Sequence, residues 1–272
     1  MTAMRADDVQ SSEPVRHGAY VCLTVPPGAT GAASAAPVPE LADRLRLRNE
    51  FEAASSGYPS ETIAYLRRVA ASPGDVEDRP LLGAGAVVHV ASARPEPVAE
   101  FYDELARLLP SALDQRVLCG VVRPKLYTGL EMHNFAYAHW VLQQPGPVMP
   151  NAFLVPLSKT SEWWEKGWME RHTYFLPRYD EAGRMLSEGH ALAAEAGIEC
   201  LLRRTYRHQT EPAPPGSYDF LTYFECADED VATFDEVMGA LRDVARNPEW
   251  RFVREGPAWR GRRVATWSEL FD

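Results

Sequence analysis

The chain has 272 residues, of which 46% are hydrophobic and 24% charged, enough apolar material for one large core or two smaller ones. Its formal net charge of -10 excludes a general nucleic-acid binder, because phosphate contacts require clustered Lys and Arg. Cys22, Cys119, Cys200 and Cys226 stand far apart without a CxxC pair, which gives no support to a thiolate zinc site or a disulfide framework. No apolar run is long enough to span a bilayer, and residues 1–15 lack the apolar core of a signal peptide, so a cytoplasmic location is expected.

The elements follow from periodicity. After the polar tail of residues 1–15, Gly18–Val25 alternates as a strand and Pro39–Ala54 carries helical spacing in Leu41, Leu45, Leu47 and Phe51. Strands are expected at Glu61–Ala71, Gly83–Ala91 and Gln115–Val122, with a proline-marked helix at Glu96–Leu109. That order is βαββαβ. It recurs as a strand at Asn151–Ser158, a helix at Asp180–Ala196, strands at Ile198–Tyr206 and Tyr218–Cys226, a helix at Asp230–Arg246 and a strand at Trp250–Arg254.

Two such units predict an α+β protein of tandem ferredoxin-like repeats, with two antiparallel sheets packed face to face and the helices outside. The expected division is an N-terminal domain at 16–125, a linker at 126–150 and a C-terminal domain at 151–272. His133 and His139 in the linker have no partner ligands at suitable spacing. The linker therefore reads as a crossing loop that packs its aromatic residues.

Chemistry concentrates in the second half. His190 falls on the apolar stripe of the expected 180–196 helix, beside the small residues Gly189, Ala193 and Ala194, which leave room for a flat ligand. Arg203 lies on the next strand, thirteen residues later, and can approach the same cavity from the opposite side. A histidine ligating iron from one side and an arginine holding an anionic oxidant on the other is the plan of a heme site. Lys159, Tyr127 and the Trp163 indole are suited to bonding heme propionates.

Four blocks carry a family resemblance: Gly120–Gly129 (GVVRPKLYTG), Phe153–Trp164 (FLVPLSKTSEWW), Met185–Tyr206 (MLSEGHALAAEAGIECLLRRTY) and Tyr218–Asp228 (YDFLTYFECAD). Together they resemble the chlorite dismutase-like heme proteins, which include chlorite dismutases and coproheme decarboxylases. The resemblance implies heme b as cofactor, His190 as proximal iron ligand, Arg203 as distal catalytic residue, and Tyr127, Lys159 and Trp163 around the heme edge. It further implies an oxidoreductase converting chlorite to chloride and dioxygen, with a small-anion substrate, no nucleic-acid or membrane partner, and a homo-oligomer, most naturally a pentamer. The alternatives are a heme oxidase or peroxidase for an organic, nitrogen-containing substrate, and a heme-binding protein without turnover.

The sequence departs from the family in four places. About a dozen extra residues around EKGWMERHTYFLP introduce His172 as a rival ligand, and His190 is preferred because it alone has the family's spacing to Arg203. A second insertion, QTEPAPPGS, follows His208. The glutamate that accepts a hydrogen bond from the proximal histidine falls on or near Arg246, with Glu249 as stand-in. Where coproheme decarboxylases place a reactive tyrosine this chain has Val155, which argues against that activity.

Overall fold

The computed structural model describes residues 15–26, 28–45, 63–69, 78–122 and 149–272. Tyr127, His133, His139, the residue 126–148 part of the expected linker, residues 1–14 and the second half of the first expected helix lie outside the described residues.

The first four strands are β1 (Arg16–Thr24), β2 (Ile63–Arg68), β3 (Ala86–Ser92) and β4 (Asp114–Val122). They are followed by β5 (Asn151–Lys159), the short β6 (Arg178–Tyr179) and β7 (Met185–Ser187), then β8 (Leu202–Arg207), β9 (Phe220–Cys226), β10 (Val253–Glu255) and β11 (Trp259–Val264). The strands expected around β1, β3, β5 and β9 form where the chain is most apolar, and nearly all of their residues are buried on both faces of the sheet.

The lateral orders are β4-β1-β3-β2 in the first half and β8-β9-β5-β11 in the second, all antiparallel. These are equivalent orders for two βαββαβ units. The expected face-to-face pair of sheets is not what forms. β2 bonds to β11 through Arg68↔Gly261 to Tyr65↔Val264, and β4 meets β8 at Val121↔Arg207, so the two four-stranded sheets join edge to edge into one closed eight-stranded barrel. Closure leaves no long unpaired edge, which is the physical gain over two open sheets.

Side-chain alternation gives the barrel one core inside and others outside it, against the helices. Inside the barrel, Tyr20, Leu66, Val87, Leu154, Tyr206, Tyr223 and Trp259 pack together. Here Tyr20 stacks on His89 at 4.3 Å, while the Tyr206 hydroxyl lies 3.2 Å from His89 Nε2 and His89 Nδ1 lies 3.3 Å from the Ala19 carbonyl. Outside the first half, helix α1 (Pro95–Leu108) lays Val98, Phe101 and Leu105 against Val21, Val88 and Val90. Pro95 and Glu96 favour its first turn and Arg107 its last.

Outside the second half, two further helices are α2 (Gly189–Ala193) and α3 (Val231–Arg242). Phe234, Val237, Met238 and Leu241 of α3 cover Phe153, Val155 and Phe224, with Phe153 and Phe234 stacked at 3.7 Å. The helix expected over 180–196 is largely replaced by the β6–β7 hairpin, and only α2 and a 3-10 turn at Glu195–Gly197 remain helical. The Asp180 carboxylate accepts the Ala182 and Arg184 backbone N–H groups at 2.9 Å each, and Gly183 takes a φ of +77°. This turn chemistry overrides the helical spacing of Ala182, Met185 and Leu186, and leaves Met185 48% and Leu186 62% exposed. The last expected strand, Trp250–Arg254, is instead a 3-10 turn (Pro248–Phe252) running into β10, with β11 beyond it.

Candidate functional site

The loop that leaves α3 sets the geometry of the site. The Asp243 carboxylate takes the Ala245 N–H at 2.8 Å, and fully buried Asn247 returns its amide to the Leu241 carbonyl at 2.9 Å. Pro248 then starts the 3-10 turn that carries Glu249 inward. Because Val253 pairs with Lys159 at the end of β5, that turn lies directly over the Lys159 side chain. The Lys159 Nζ sits 2.6 Å from Glu249 Oε1, with both side chains nearly sealed from solvent at 4% and 5% exposure. It also lies 4.3 Å above the Trp163 ring, whose fully buried indole packs with Tyr174 and Phe252.

His190 is fixed by two segments that are distant in sequence. The Arg246 carbonyl accepts the Glu188 and Gly189 N–H groups at 2.9 and 3.0 Å, and the Tyr174 and Phe175 carbonyls accept those of His190 and Ala191 at 3.1 and 3.2 Å. Gly189 has a φ of +68°, and a Cβ there would lie 2.4 Å from the Leu176 carbonyl oxygen. Only glycine lets the chain pass this closely. The insertion around residues 165–177 therefore bonds directly to the backbone of α2 through the Tyr174 and Phe175 carbonyls, and buried Phe175 sets its ring 5.0 Å from the imidazole.

The imidazole completes a buried chain. Its Nδ1 lies 2.8 Å from Glu249 Oε2, the oxygen that Lys159 leaves open. A carboxylate opposite Nδ1 fixes the tautomer in which Nδ1 donates, so the Nε2 lone pair points out of the chain. Facing it, Arg203 Nη1 and Nη2 each stand 3.3 Å from Nε2, and the guanidinium also lies 5.7 Å over the Phe224 ring. Lys159, Glu249, His190 and Arg203 thus form one line of alternating donors and acceptors.

Of the residues singled out from sequence, His190, Arg203, Lys159 and Trp163 come together, and Glu249 rather than Arg246 meets Nδ1. Arg246 instead pairs with Glu188 at 2.9 Å near the surface. His172 sits half-buried at the end of the Trp168–Thr173 helix, where its carbonyl accepts the Phe175 N–H at 3.0 Å. Sequence reasoning missed Phe175, which lies inside the insertion and carries no recognisable spacing to His190. Tyr127 lies outside the described residues.

Among the described residues, no cluster of three His, Cys, Asp or Glu side chains suits a bare metal ion, and no helix is long and apolar enough to cross a membrane.

No family model and no curated protein matches the chain. Solved structures do. The chlorite dismutase of Candidatus Nitrospira defluvii in complex with imidazole is 18% identical, with a TM-score of 0.64 and 97% of each chain covered. An arginine-to-lysine mutant of that enzyme gives 17% identity and a TM-score of 0.64, with 97% of each chain covered. The fold is the chlorite dismutase-like fold. A tryptophan-to-phenylalanine mutant in complex with cyanide aligns over 97% of this chain and 96% of its own, at 16% identity and a TM-score of 0.61.

Proposed function

We propose that this protein is a heme b-dependent oxidoreductase of the chlorite dismutase-like type, acting on a small oxyanion, with chlorite converted to chloride and dioxygen as the first candidate reaction. The observation that carries the reading is the Glu249–His190–Arg203 line on this fold: a carboxylate behind an imidazole and a permanently charged guanidinium in front of it. The resemblance in sequence and the likeness in fold point the same way.

The donor set fits a heme. His190 offers a neutral Nε2, and Glu249 accepting from Nδ1 makes that nitrogen more basic and fixes the ring plane. Lys159 bonds the other carboxylate oxygen of Glu249 and does not compete for Nε2. Two buried polar atoms near this face also have no hydrogen-bond partner among the described residues, the Trp164 indole N–H and the Thr205 hydroxyl. Such groups are uncommon in native interiors and suit a polar ligand. Bound at Nε2, an iron porphyrin would supply a redox-active Lewis acid that accepts oxygen from an oxyanion. The Arg203 guanidinium stands 3.3 Å from Nε2, so its side chain would have to move away from that nitrogen for iron to bond there.

In that position Arg203 holds a permanent positive charge for a substrate anion and for negative charge developing on oxygen. Val155, buried at 1% exposure on the same sheet face, supplies no phenol, which speaks against coproheme decarboxylation. The test is oxygen evolution on adding chlorite to the heme-loaded protein. Wild type should evolve oxygen, and Arg203→Ala should do so at least ~10-fold more slowly. A loaded wild type that evolves none removes chlorite as substrate.

A further inference from the structure

β8 presents more than Arg203 to the site. Successive side chains of a strand point to opposite faces, so Arg203, Thr205 and Arg207 share the face outside the barrel, while Arg204 and Tyr206 point inward. Tyr206 packs in the barrel core, which fixes this assignment. Across the sheet, Arg203 stands opposite Phe224, and Thr205 opposite Thr222, which in turn stands opposite Val155. One rung from Arg203, then, runs a row of two threonines and a valine.

Strand threonines placed opposite one another often exchange a hydrogen bond. Thr205 does not do so. Its Oγ1 is buried and has no hydrogen-bond partner among the described residues. Desolvating a hydroxyl without compensation opposes folding, so valine would serve a purely structural role at this position better. We propose that Thr205 is a ligand-binding and specificity-determining residue, its hydroxyl donating to one oxygen of a bent oxyanion whose charge Arg203 holds. Neighbouring same-face residues of a strand are roughly 7 Å apart, within reach of one small anion bridged by a flexible guanidinium. The row then selects a bent anion with two oxygen acceptors over a linear one-ended anion.

The inference rests on the heme reading, and its test separates the two. Heme-loaded wild type, Thr205→Val and Thr205→Ser are titrated with nitrite, a bent oxyanion, and with cyanide, a linear control, following the heme absorption. Thr205→Val should weaken nitrite roughly 10-fold, the scale of a hydrogen bond to a charged group, while Thr205→Ser keeps most of the affinity and cyanide changes less than about 2-fold. In denaturant without heme, Thr205→Val should unfold at the same midpoint as wild type or a higher one. Unchanged nitrite affinity in a loaded Thr205→Val protein overturns the Thr205 role alone, as does a lowered midpoint, which would mean that the hydroxyl serves the fold. Absence of any heme spectrum in wild type overturns the reading beneath it.

Discussion

The Glu249 carboxylate is divided between two buried nitrogen donors: Oε1 lies 2.6 Å from Lys159 Nζ and Oε2 lies 2.8 Å from His190 Nδ1. Removing it strands an ammonium with little access to water, and breaking one side of a buried pair typically costs about 3–5 kcal/mol. Glu249→Ala is expected to lose stability on that scale in urea denaturation. The double variant Lys159→Met, Glu249→Leu should recover most of the loss, because it removes the stranded charge as well. Equal stability of wild type and Glu249→Ala would show that the pair does not form.

Gly189 controls where His190 points. A side chain there would be forced into a left-handed conformation, at about 1–2 kcal/mol, and into the Leu176 carbonyl. Gly189→Ala should therefore destabilise the protein by more than about 1 kcal/mol and weaken heme binding, whereas Gly183→Ala, with a φ of +77° but open space around it, should lose stability without affecting heme. Heme titration of the two variants side by side checks this.

The barrel interior predicts a pH dependence. Burial, reinforced by Arg204 and Arg16 and opposed by the Ala19 hydrogen bond, pushes His89 down to about 3. The folded state thus leaves His89 neutral where the unfolded chain protonates it, near 6.5. Between those values the unfolded state binds more protons, so stability falls as pH drops from about 6.5 toward 3, by at most ~1.4 kcal/mol per pH unit. Burial raises Glu225 above the usual carboxylate value of 4.5, so it works in the opposite direction in the part of the window just above that value. Denaturation midpoints from pH 7 to 5 should slope downward in wild type and be flatter in His89→Asn. Parallel slopes would rule out His89 as the source.

Much of this was legible in the sequence because it depends on local rules. Strand alternation located β1, β5 and β9, and the thirteen-residue interval between His190 and Arg203 selected a helix and a strand that do meet. Glu249 was visible as a carboxylate near the end of α3. The rest depends on contacts that sequence does not display. Barrel closure is set by edge pairing between residues as distant as Leu66 and Arg263. The β6–β7 hairpin hid behind an apolar pattern that fits a helix, and only the Asp180 and Gly183 turn distinguishes it. β11 reads WRGRRV, too charged to announce a strand, yet Trp259 is buried inside the barrel. Whether a hydroxyl such as that of Thr205 finds a partner is decided entirely by its neighbours in space.

The account depends most on His190 Nε2 as the iron ligand. Titrating the purified protein with ferric heme while recording the Soret region tests this directly, with His190→Ala and His172→Ala as comparisons. The expected result is a saturable one-to-one band in wild type and in His172→Ala. In His190→Ala the affinity should fall at least ~10-fold, and the wild-type band should return when free imidazole is added. A His190→Ala protein whose band and affinity match wild type would contradict the account.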